Sequence, residues 1–349
     1  MDKSALLDAI THGEPISGVN LDGINLAGLP LGGAIFEEVS LRGAQFQGAD
    51  LREILWVKCN LEGADLTGAK LRHATLEQAK LGRSTFTGAD MVGAKILNSD
   101  LTKSRITNAD LTLSAFVRCD LSGAALADSK LDRTAFMESV FGQTIFRGPL
   151  KQAVFYKGDL SSAALGGCSF DMTVFTEANL EGHSFAGTRF HLCQFGGANL
   201  KGCDLTECDL TQCNFKGANL EGAKLDKVLA EKALFADAKL ARATFKHARL
   251  TMAVFIGADL SYVDFSGAAL STAIFKNVNA SHAGFRSADL TYADLAHADL
   301  TGADLSGATL FRTILHRVKD SGAIFTNRSA ALGDDPELTQ AENHAAAKV

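Results

Sequence analysis

The feature that most constrains this chain is a large apolar residue at every fifth position. From Leu21 to Phe146 each of these positions holds Leu, Phe, Trp, Met or Ile, and a second series from Leu150 to Phe325 is broken only by Ala230, Ala280 and Asp320. Residues five apart lie about 140° apart around a helix axis, and an ordinary strand alternates every two residues, so neither structure explains the period. The chain is therefore expected to turn a corner every five residues.

Phenylalanine carries a second period of twenty residues. Four steps of five make one such period, which predicts a coil with four sides. We call one column of positions the Phe side: position 36 and every twentieth residue to 136, then 155 and every twentieth residue to 315. A small residue lies two positions before most large ones, and both are expected to point inwards. The uninterrupted part of the column is Phe155, Phe175, Phe195, Phe215, Phe235, Phe255 and Phe275.

The two series are joined by one irregular step at Gly148-Pro149, where Leu150 follows Phe146 after four residues. Phe136 and Phe155 are correspondingly nineteen residues apart, so the identity of each side is kept across the step. The pattern predicts one deleted residue within a single continuous domain.

Composition argues against several functions. The formal charge is −6, with 34 basic and 40 acidic residues, so no basic surface for nucleic acid is expected. No secretory signal or membrane-length apolar run is found, which favours a cytoplasmic protein without membrane contact. A phosphate loop, a dinucleotide motif and a zinc-protease motif are all missing. We therefore expect a non-enzymatic protein without a cofactor, a metal ion or a small-molecule substrate.

Cysteines and one histidine occupy the small inward position. We expect buried thiols in place of Ala, although Cys193 and Cys213 lie one coil apart and within disulfide range. His183 is expected to be a hydrogen-bonded interior residue and not a ligand or catalyst. The cysteines are Cys59, Cys119, Cys168, Cys193, Cys203, Cys208 and Cys213.

Individual units resemble those of pentapeptide-repeat proteins. Residues 64–68 (ADLTG), 198–202 (ANLKG) and 258–260 (ADL) have the small, Asp or Asn, then Leu order of that family. The resemblance covers residues 16–327 and implies an all-β solenoid, a right-handed, four-sided (quadrilateral) parallel β-helix. Residues 5–36 are also similar to proteins associated with bacterial type VI secretion, which would make the partner a secreted effector or spike component.

The two ends differ from the repeat. Residues 1–15 predict a short amphipathic capping helix, and residues 16–327 a single continuous β-helix. Residues 328–349 predict a linker followed by a C-terminal helix or tail that carries Leu338, Ala341 and Ala345 and acts as a cap or in oligomerisation.

One functional hypothesis concerns acidic residues. Some pentapeptide-repeat proteins resemble DNA and protect type II topoisomerases such as gyrase, which would require a dense acidic surface. Asp100, Asp120 and Asp159 share one column, but Lys80 and Asn179 interrupt it. Duplex DNA carries one charge per about 1.7 Å, far more than this column. We keep DNA mimicry as the alternative.

A second hypothesis concerns apolar residues at outward positions of the Phe side. A contiguous apolar strip commonly marks an interaction surface, although β-propensity or packing of the C-terminal tail could also explain it. The strip predicts a scaffold that binds a protein partner or a second copy of itself. The residues are Ile35, Leu55, Val57, Val117, Met137, Val154, Tyr156, Val174, Leu234, Val254, Ile256 and Ile274.

Overall fold

The computed structural model describes residues 1–346, which divide into two compact units, Met1–Asn179 and a second that begins at Leu180. Each unit is a parallel β-solenoid, and together they contain about 16 turns of chain. The all-β solenoid with short terminal helices is therefore confirmed. No helix among the described residues is long and apolar enough to span a membrane.

Short strands form along the Phe side of the first unit. In the full-length strands the middle residue points inwards and its two neighbours point outwards, as expected for an extended backbone. They pair in parallel in the order β1-β2-β3-β4-β5-β6-β7-β9. These strands are β1 (Ile16–Ser17), β2 (Ile35–Glu37), β3 (Leu55–Val57), β4 (Thr75–Glu77), β5 (Lys95–Leu97), β6 (Ala115–Val117), β7 (Ala135–Met137) and β9 (Val154–Tyr156).

Other strands lie on different sides. In the first unit, β8 pairs in parallel with β10, and in the second unit β12 pairs in parallel with β13. These strands are β8 (Gly148–Lys151), β10 (Cys168–Asp171), β11 (Phe190–His191), β12 (Asp304–Leu305) and β13 (Ile324–Phe325).

Most turns are joined by isolated parallel bridges rather than by long strands. Asn60 bridges Lys80, one turn later. There, the backbone N–H of Leu61 donates to Lys80 O (2.7 Å), and that of Lys80 donates to Cys59 O (2.9 Å). The backbone of each turn is thus satisfied by its neighbours, which allows the five-residue corners to recur without long strands.

The core contains one large side chain from each side of each turn, with small side chains between them. Many hydroxyl groups at the small position donate to backbone carbonyl groups, although the buried Ser104 Oγ has no such partner. Thr134 Oγ1 donates to Leu111 O at 2.8 Å, and Thr313 Oγ1 donates to Leu290 O at 2.8 Å. Ser and Thr can therefore replace Ala inside the solenoid at low cost.

At nearly every corner, the residue two positions after the large core residue has a left-handed backbone conformation. Glu53 has φ +57° and Leu113 has φ +63°. This region costs a non-glycine residue about 1–2 kcal/mol, which explains why Gly recurs at corners. Leu113 combines this conformation with an apolar side chain that lies exposed.

The irregular step lies within the first unit, where the register shows how it is accommodated. Phe136 pairs with Phe155, nineteen residues later, and Val140 bridges Asp159 at the same spacing. Gly148 has φ +103°. The register therefore confirms the deletion of one residue, because each column continues past it.

Both ends carry additional structure. Helix α1 (Lys3–Thr11) is capped by Asp2 Oδ1, which accepts the N–H of Ala5 at 2.9 Å, and its Leu6 is fully buried. At the other end a 3-10 turn (Arg328–Ala330) precedes helix α2 (Pro336–Ala346).

Helix α2 contacts the solenoid through polar and not apolar side chains. Leu338 and Ala341 lie exposed, whereas Glu342 contacts the solenoid. The polar face of α2 docks because cationic and imidazole side chains face it from the last turns.

Candidate protein-binding face

The first unit brings eight of the predicted residues onto one parallel sheet or its continuation. Ile35 pairs with Leu55, while Val154 pairs with Ala135 and bridges Val174. Because the pairing is parallel and in register, residues one turn apart lie side by side. Outward residues that are one turn apart in the sequence therefore contact each other on neighbouring strands.

These residues form two groups. A small group at the N-terminal end consists of Ile35, Leu55 and Val57. Thr75 and then Lys95 continue the column of Ile35 and Leu55, so the apolar surface ends there. The larger group begins on β5, two strands after β3. We call it the central patch, and its residues are Leu97, Val117, Met137, Val154, Tyr156 and Val174.

Leu97 is a member of the central patch that the sequence analysis missed. It pairs with Val117, which pairs with Met137, which in turn pairs with Tyr156. The preceding outward residue of the same strand is Lys95, and its charge makes the strand look polar on the outside. Inspection of the following outward position in every turn would have found Leu97.

The central patch is only partly accessible. Met137 is 38% exposed, while Leu97 and Val117 are half-buried by their neighbours in the sheet. The Lys157 ammonium lies 5.1 Å from the centre of the Tyr156 ring and covers part of it. The patch is therefore flat, apolar in the middle and charged at one edge.

That edge, which we call the charged rim, consists of Arg118, Glu138, Lys157 and Glu177 at the corners beside the patch. Charge alternates along the rim from one turn to the next. Lys157 Nζ lies 3.6 Å from a carboxylate oxygen of Glu177, and Arg118 Nε donates to Asn98 Oδ1 at 2.7 Å. All four rim side chains are exposed.

The second unit contains the other four predicted residues. Leu234 bridges Val254, which bridges Ile274, and Ile256 lies beside this column. Leu234 is 42% exposed and Ile256 is 39% exposed. Asp294 ends the column, where its carboxylate accepts the N–H of Ala296 at 3.0 Å.

The C-terminal segment packs against the last turns of the same side. Leu332 bridges Ile314, and Arg317 Nη1 donates to Glu342 Oε2 at 2.8 Å. This hydrogen bond, with those from His297 and His316, lowers the pKa of Glu342 to about 2. Tail packing thus occurs on the Phe side, but it leaves the more N-terminal Leu234 and Ile256 exposed.

Acidic residues that could imitate DNA have structural partners. Asp204 Oδ1 accepts the N–H of Thr206 at 3.0 Å, and Asp299 Oδ1 accepts that of Thr301 at 3.0 Å. Hydrogen bonds from these threonines lower the pKa of both carboxyl groups. Lys319 Nζ also lies 3.8 Å from Asp299. These carboxylates close the turns that the repeat requires.

A surface groove of about 430 Å³ opens at Gly284, which lacks a side chain between Asp264 and Asp304. Arg286 is paired with Asp304, and Lys246 Nζ lies 3.3 Å from Asp264. The charges that line this groove are therefore largely compensated.

The inward cysteines are not joined in disulfide bonds; six of them are buried and Cys168 is half-buried. Cys203 Sγ donates to Leu180 O at 3.0 Å, as the inward threonines do to their carbonyl groups. Burial raises the pKa of Cys203 to about 11. His183 is half-buried, and its ring stacks on Phe185 with the centroids 5.3 Å apart.

Solved structures similar to this chain include other repeat proteins. HetL, a pentapeptide repeat protein involved in heterocyst differentiation regulation in Nostoc sp. strain PCC 7120, is 23% identical over 92% of this chain and 98% of HetL, with a TM-score of 0.19. Full-length QnrB1, a plasmid-mediated fluoroquinolone resistance protein, is 15% identical over 66% of this chain and 99% of QnrB1, with a TM-score of 0.23. A pentapeptide repeat protein from the Arabidopsis thaliana thylakoid lumen is 26% identical over 30% of this chain and 66% of that protein, with a TM-score of 0.20.

Family models identify the repeat itself. No curated protein sequence matches the chain. The family described as pentapeptide repeats matches residues 152–191, 193–229, 238–277 and 278–327, and the related pentapeptide repeat region matches residues 31–106. Members of this family form right-handed quadrilateral β-helices. Because these matches together cover more than half of the chain, the protein belongs to the pentapeptide-repeat family.

Proposed function

We propose that this protein is a non-enzymatic interaction scaffold that binds a second copy of itself through the central patch. The observation that carries the proposal is the register of β5, β6, β7 and β9. It aligns Leu97, Val117, Met137 and Tyr156 in one outward column. Contiguous apolar surface of this kind is typical of protein interfaces.

The charged rim supports a second copy as the occupant. A two-fold interface must be complementary to itself. If two patches pack face to face about an axis parallel to the strands, the solenoids run antiparallel and each rim meets the reversed rim of the other copy. Arg118 then faces Glu177 of the second copy, and Glu138 faces Lys157. Because charge alternates along the rim, each basic side chain of one copy then faces an acidic side chain of the other.

The exposed apolar column of the second unit extends the proposal. Leu234, Val254, Ile256 and Ile274 offer a further protein-binding surface of the same chemistry. We assign it a secondary role because it has fewer members than the central patch.

The test is a double substitution of paired residues, Val117→Lys with Met137→Lys, examined by sedimentation across a concentration series. The wild type should form a dimer, and the variant should be a monomer with an unchanged β-sheet circular dichroism spectrum. The matched control is Ile145→Lys with Ala164→Lys, because these exposed residues also bridge each other but lie on another side. The control should remain a dimer.

A monomeric wild type, or a dimer that survives the double substitution, would overturn self-association through this patch. Binding of a different protein that is lost in the same variant would point to a heterologous partner. The wider roles in a cytoplasmic or secretion-associated setting stay hypotheses about where such a scaffold acts.

Protection of a type II topoisomerase is the alternative hypothesis, and a different measurement tests it. DNA mimicry needs uncompensated acidic groups, whereas Asp204 and Asp299 are used in the turns. We expect the purified protein to leave gyrase supercoiling unchanged with and without a quinolone. Altered supercoiling would favour the alternative.

A further inference from the structure

Three side chains with metal-binding atoms meet where helix α2 packs against the last turns of the solenoid. His297 Nε2 lies 3.0 Å from Glu342 Oε1, and His316 Nε2 lies 3.3 Å from Glu342 Oε2. All three ligand atoms lie within 4.8 Å of one another. Two turns of the solenoid and one helix thus supply the cluster.

The solenoid fixes the two imidazoles. The backbone N–H of His297 donates to the backbone carbonyl oxygen of His316 at 2.9 Å, and this hydrogen bond joins the two turns. Their rings lie 5.5 Å apart between centroids and are inclined by 90°. The His316 side chain is only 1% exposed, so its orientation is set by packing.

Helix α2 delivers the carboxylate in a defined position. Arg317 donates to Glu342 Oε2 at 2.8 Å through Nη1 and to Asn343 Oδ1 at 2.7 Å through Nη2. These two hydrogen bonds hold the helix against the solenoid. Oε1 faces His297 and does not take part in the Arg317 contact.

Two imidazoles and one carboxylate are a ligand set that suits Zn²⁺ and related ions. In a tetrahedral zinc site with bonds of about 2.0–2.1 Å, ligand atoms lie about 3.4 Å apart. The two imidazoles lie 3.0 and 3.3 Å from different oxygens of the same carboxylate, so both face one group that can bind an ion between them. We propose that His297 Nε2, His316 Nε2 and the Glu342 carboxylate bind one divalent transition-metal ion, with water in the remaining position.

Metal binding requires a change of tautomer at His316. Its Nδ1 accepts the N–H of Asp335 at 3.1 Å, so in the metal-free protein the ring proton is on Nε2. When Nε2 binds the ion it releases this proton, Nδ1 takes up one from solvent, and the hydrogen bond that Nδ1 accepts from the backbone N–H of Asp335 is lost. Asp334 Oδ1, which lies 3.8 Å from Nδ1, is the acceptor for the new N–H. Asp334 is itself positioned by a hydrogen bond from the backbone N–H of Arg317.

The site would fasten α2 to the final turns of the solenoid. The ends of a solenoid expose unpaired backbone and need protection. A metal ion shared between the last turns and α2 would strengthen this contact more than the hydrogen bonds alone.

The experiment uses metal-free full-length protein titrated with ZnCl₂ by calorimetry, with Co²⁺ absorption as a report of coordination. We expect one ion per chain and a rise in Tm that a chelator reverses. His297→Asn and Glu342→Gln should each weaken binding about 100-fold or more, and Asp334→Asn about 10- to 100-fold. His344→Asn, on the same helix but outside the cluster, should bind normally.

Variants are compared only after circular dichroism has shown that the β-solenoid is retained. His297 is the most informative position because its side chain is 37% exposed and tolerates substitution better than buried His316. Lack of Zn²⁺ and Co²⁺ binding by the wild type, or equal affinity in His297→Asn and the wild type, would overturn the proposal and leave the cluster as a hydrogen-bonded clamp.

Discussion

Phe255 and Phe275 lie on successive turns of the second unit with their rings stacked, the centroids 4.8 Å apart and the planes inclined by 1°. Both are fully buried. Phe245 and Phe265 contact Phe255 edge-on from the opposite side of the coil, with centroids 6.1 and 5.7 Å away. Each ring therefore supports both the next turn and the opposite side of the coil.

Loss of one ring from this stack should be costly. We expect Phe255→Ala to lower the free energy of unfolding by about 3–5 kcal/mol, because it leaves a cavity between rigid turns. Phe255→Leu should cost about 1.5 kcal/mol or less, since Leu fills core positions elsewhere. Urea denaturation followed by circular dichroism measures both. Phe311→Ala is the control, because Phe311 is exposed. Equal losses of unfolding free energy in Phe255→Ala and Phe311→Ala would contradict the argument that buried stacking of Phe255 stabilises the turns.

Acid should weaken the turns that aspartates close. Hydrogen bonds from Ser306, and from Arg286, lower the pKa of Asp304 to about 2. The Asp304 carboxylate contributes fully to the free energy of unfolding above about pH 3.9, the pKa of Asp in the unfolded chain. This contribution is lost as the pH falls towards 2. In Asp304→Asn the amide oxygen keeps the turn but does not titrate. We expect this variant to lose less stability between pH 5 and 2, by at most about 1 kcal/mol.

Denaturation of the wild type and Asp304→Asn at several pH values tests this expectation. Asn279 accepts the equivalent hydrogen bond in its own turn, which shows that Asn fits the position. Identical acid sensitivity in the two proteins would mean that Asp304 makes no contribution.

The strained corner at Leu113 can be relieved. Leu113→Gly should stabilise the protein by up to about 1 kcal/mol. The substitution removes about 1–2 kcal/mol of backbone strain from the left-handed conformation, which exceeds the entropy cost of glycine. The neighbouring substitution Thr112→Gly has no positive φ to relieve and should destabilise by about 0.5–1 kcal/mol. Urea midpoints that move in the same direction for both variants would argue against corner strain.

The inward thiols should react slowly in the native protein. Burial raises the pKa of Cys203 and of Cys208 to about 11, so little thiolate forms near neutral pH. Ellman's reagent should label half-buried Cys168 first and all seven cysteines only in denaturant. Fewer than seven reactive thiols in denaturant without reductant would reveal a disulfide, and rapid native labelling of Cys203 would show that the core opens.

The Phe-side pattern shows how far the sequence can be interpreted. It predicted the outward positions of Val117 and Met137, because the side-chain direction in an extended segment alternates locally. It missed Leu97, because the preceding outward residue of the same strand is the charged Lys95. The continuity of residues 16–327 in a single β-helix stays a prediction, as does the binding role of the apolar residues.

The sequence by itself determined the solenoid, since a period of five fixes corners and a period of twenty fixes which residues stack. Each period repeats a local steric rule many times, so individual exceptions such as Ala230 do not hide it. Only the tertiary structure decided how α2 docks. His297 and Glu342 are separated by 45 residues, and the end of the chain has no period, so their contact depends on the complete packing of the last turns.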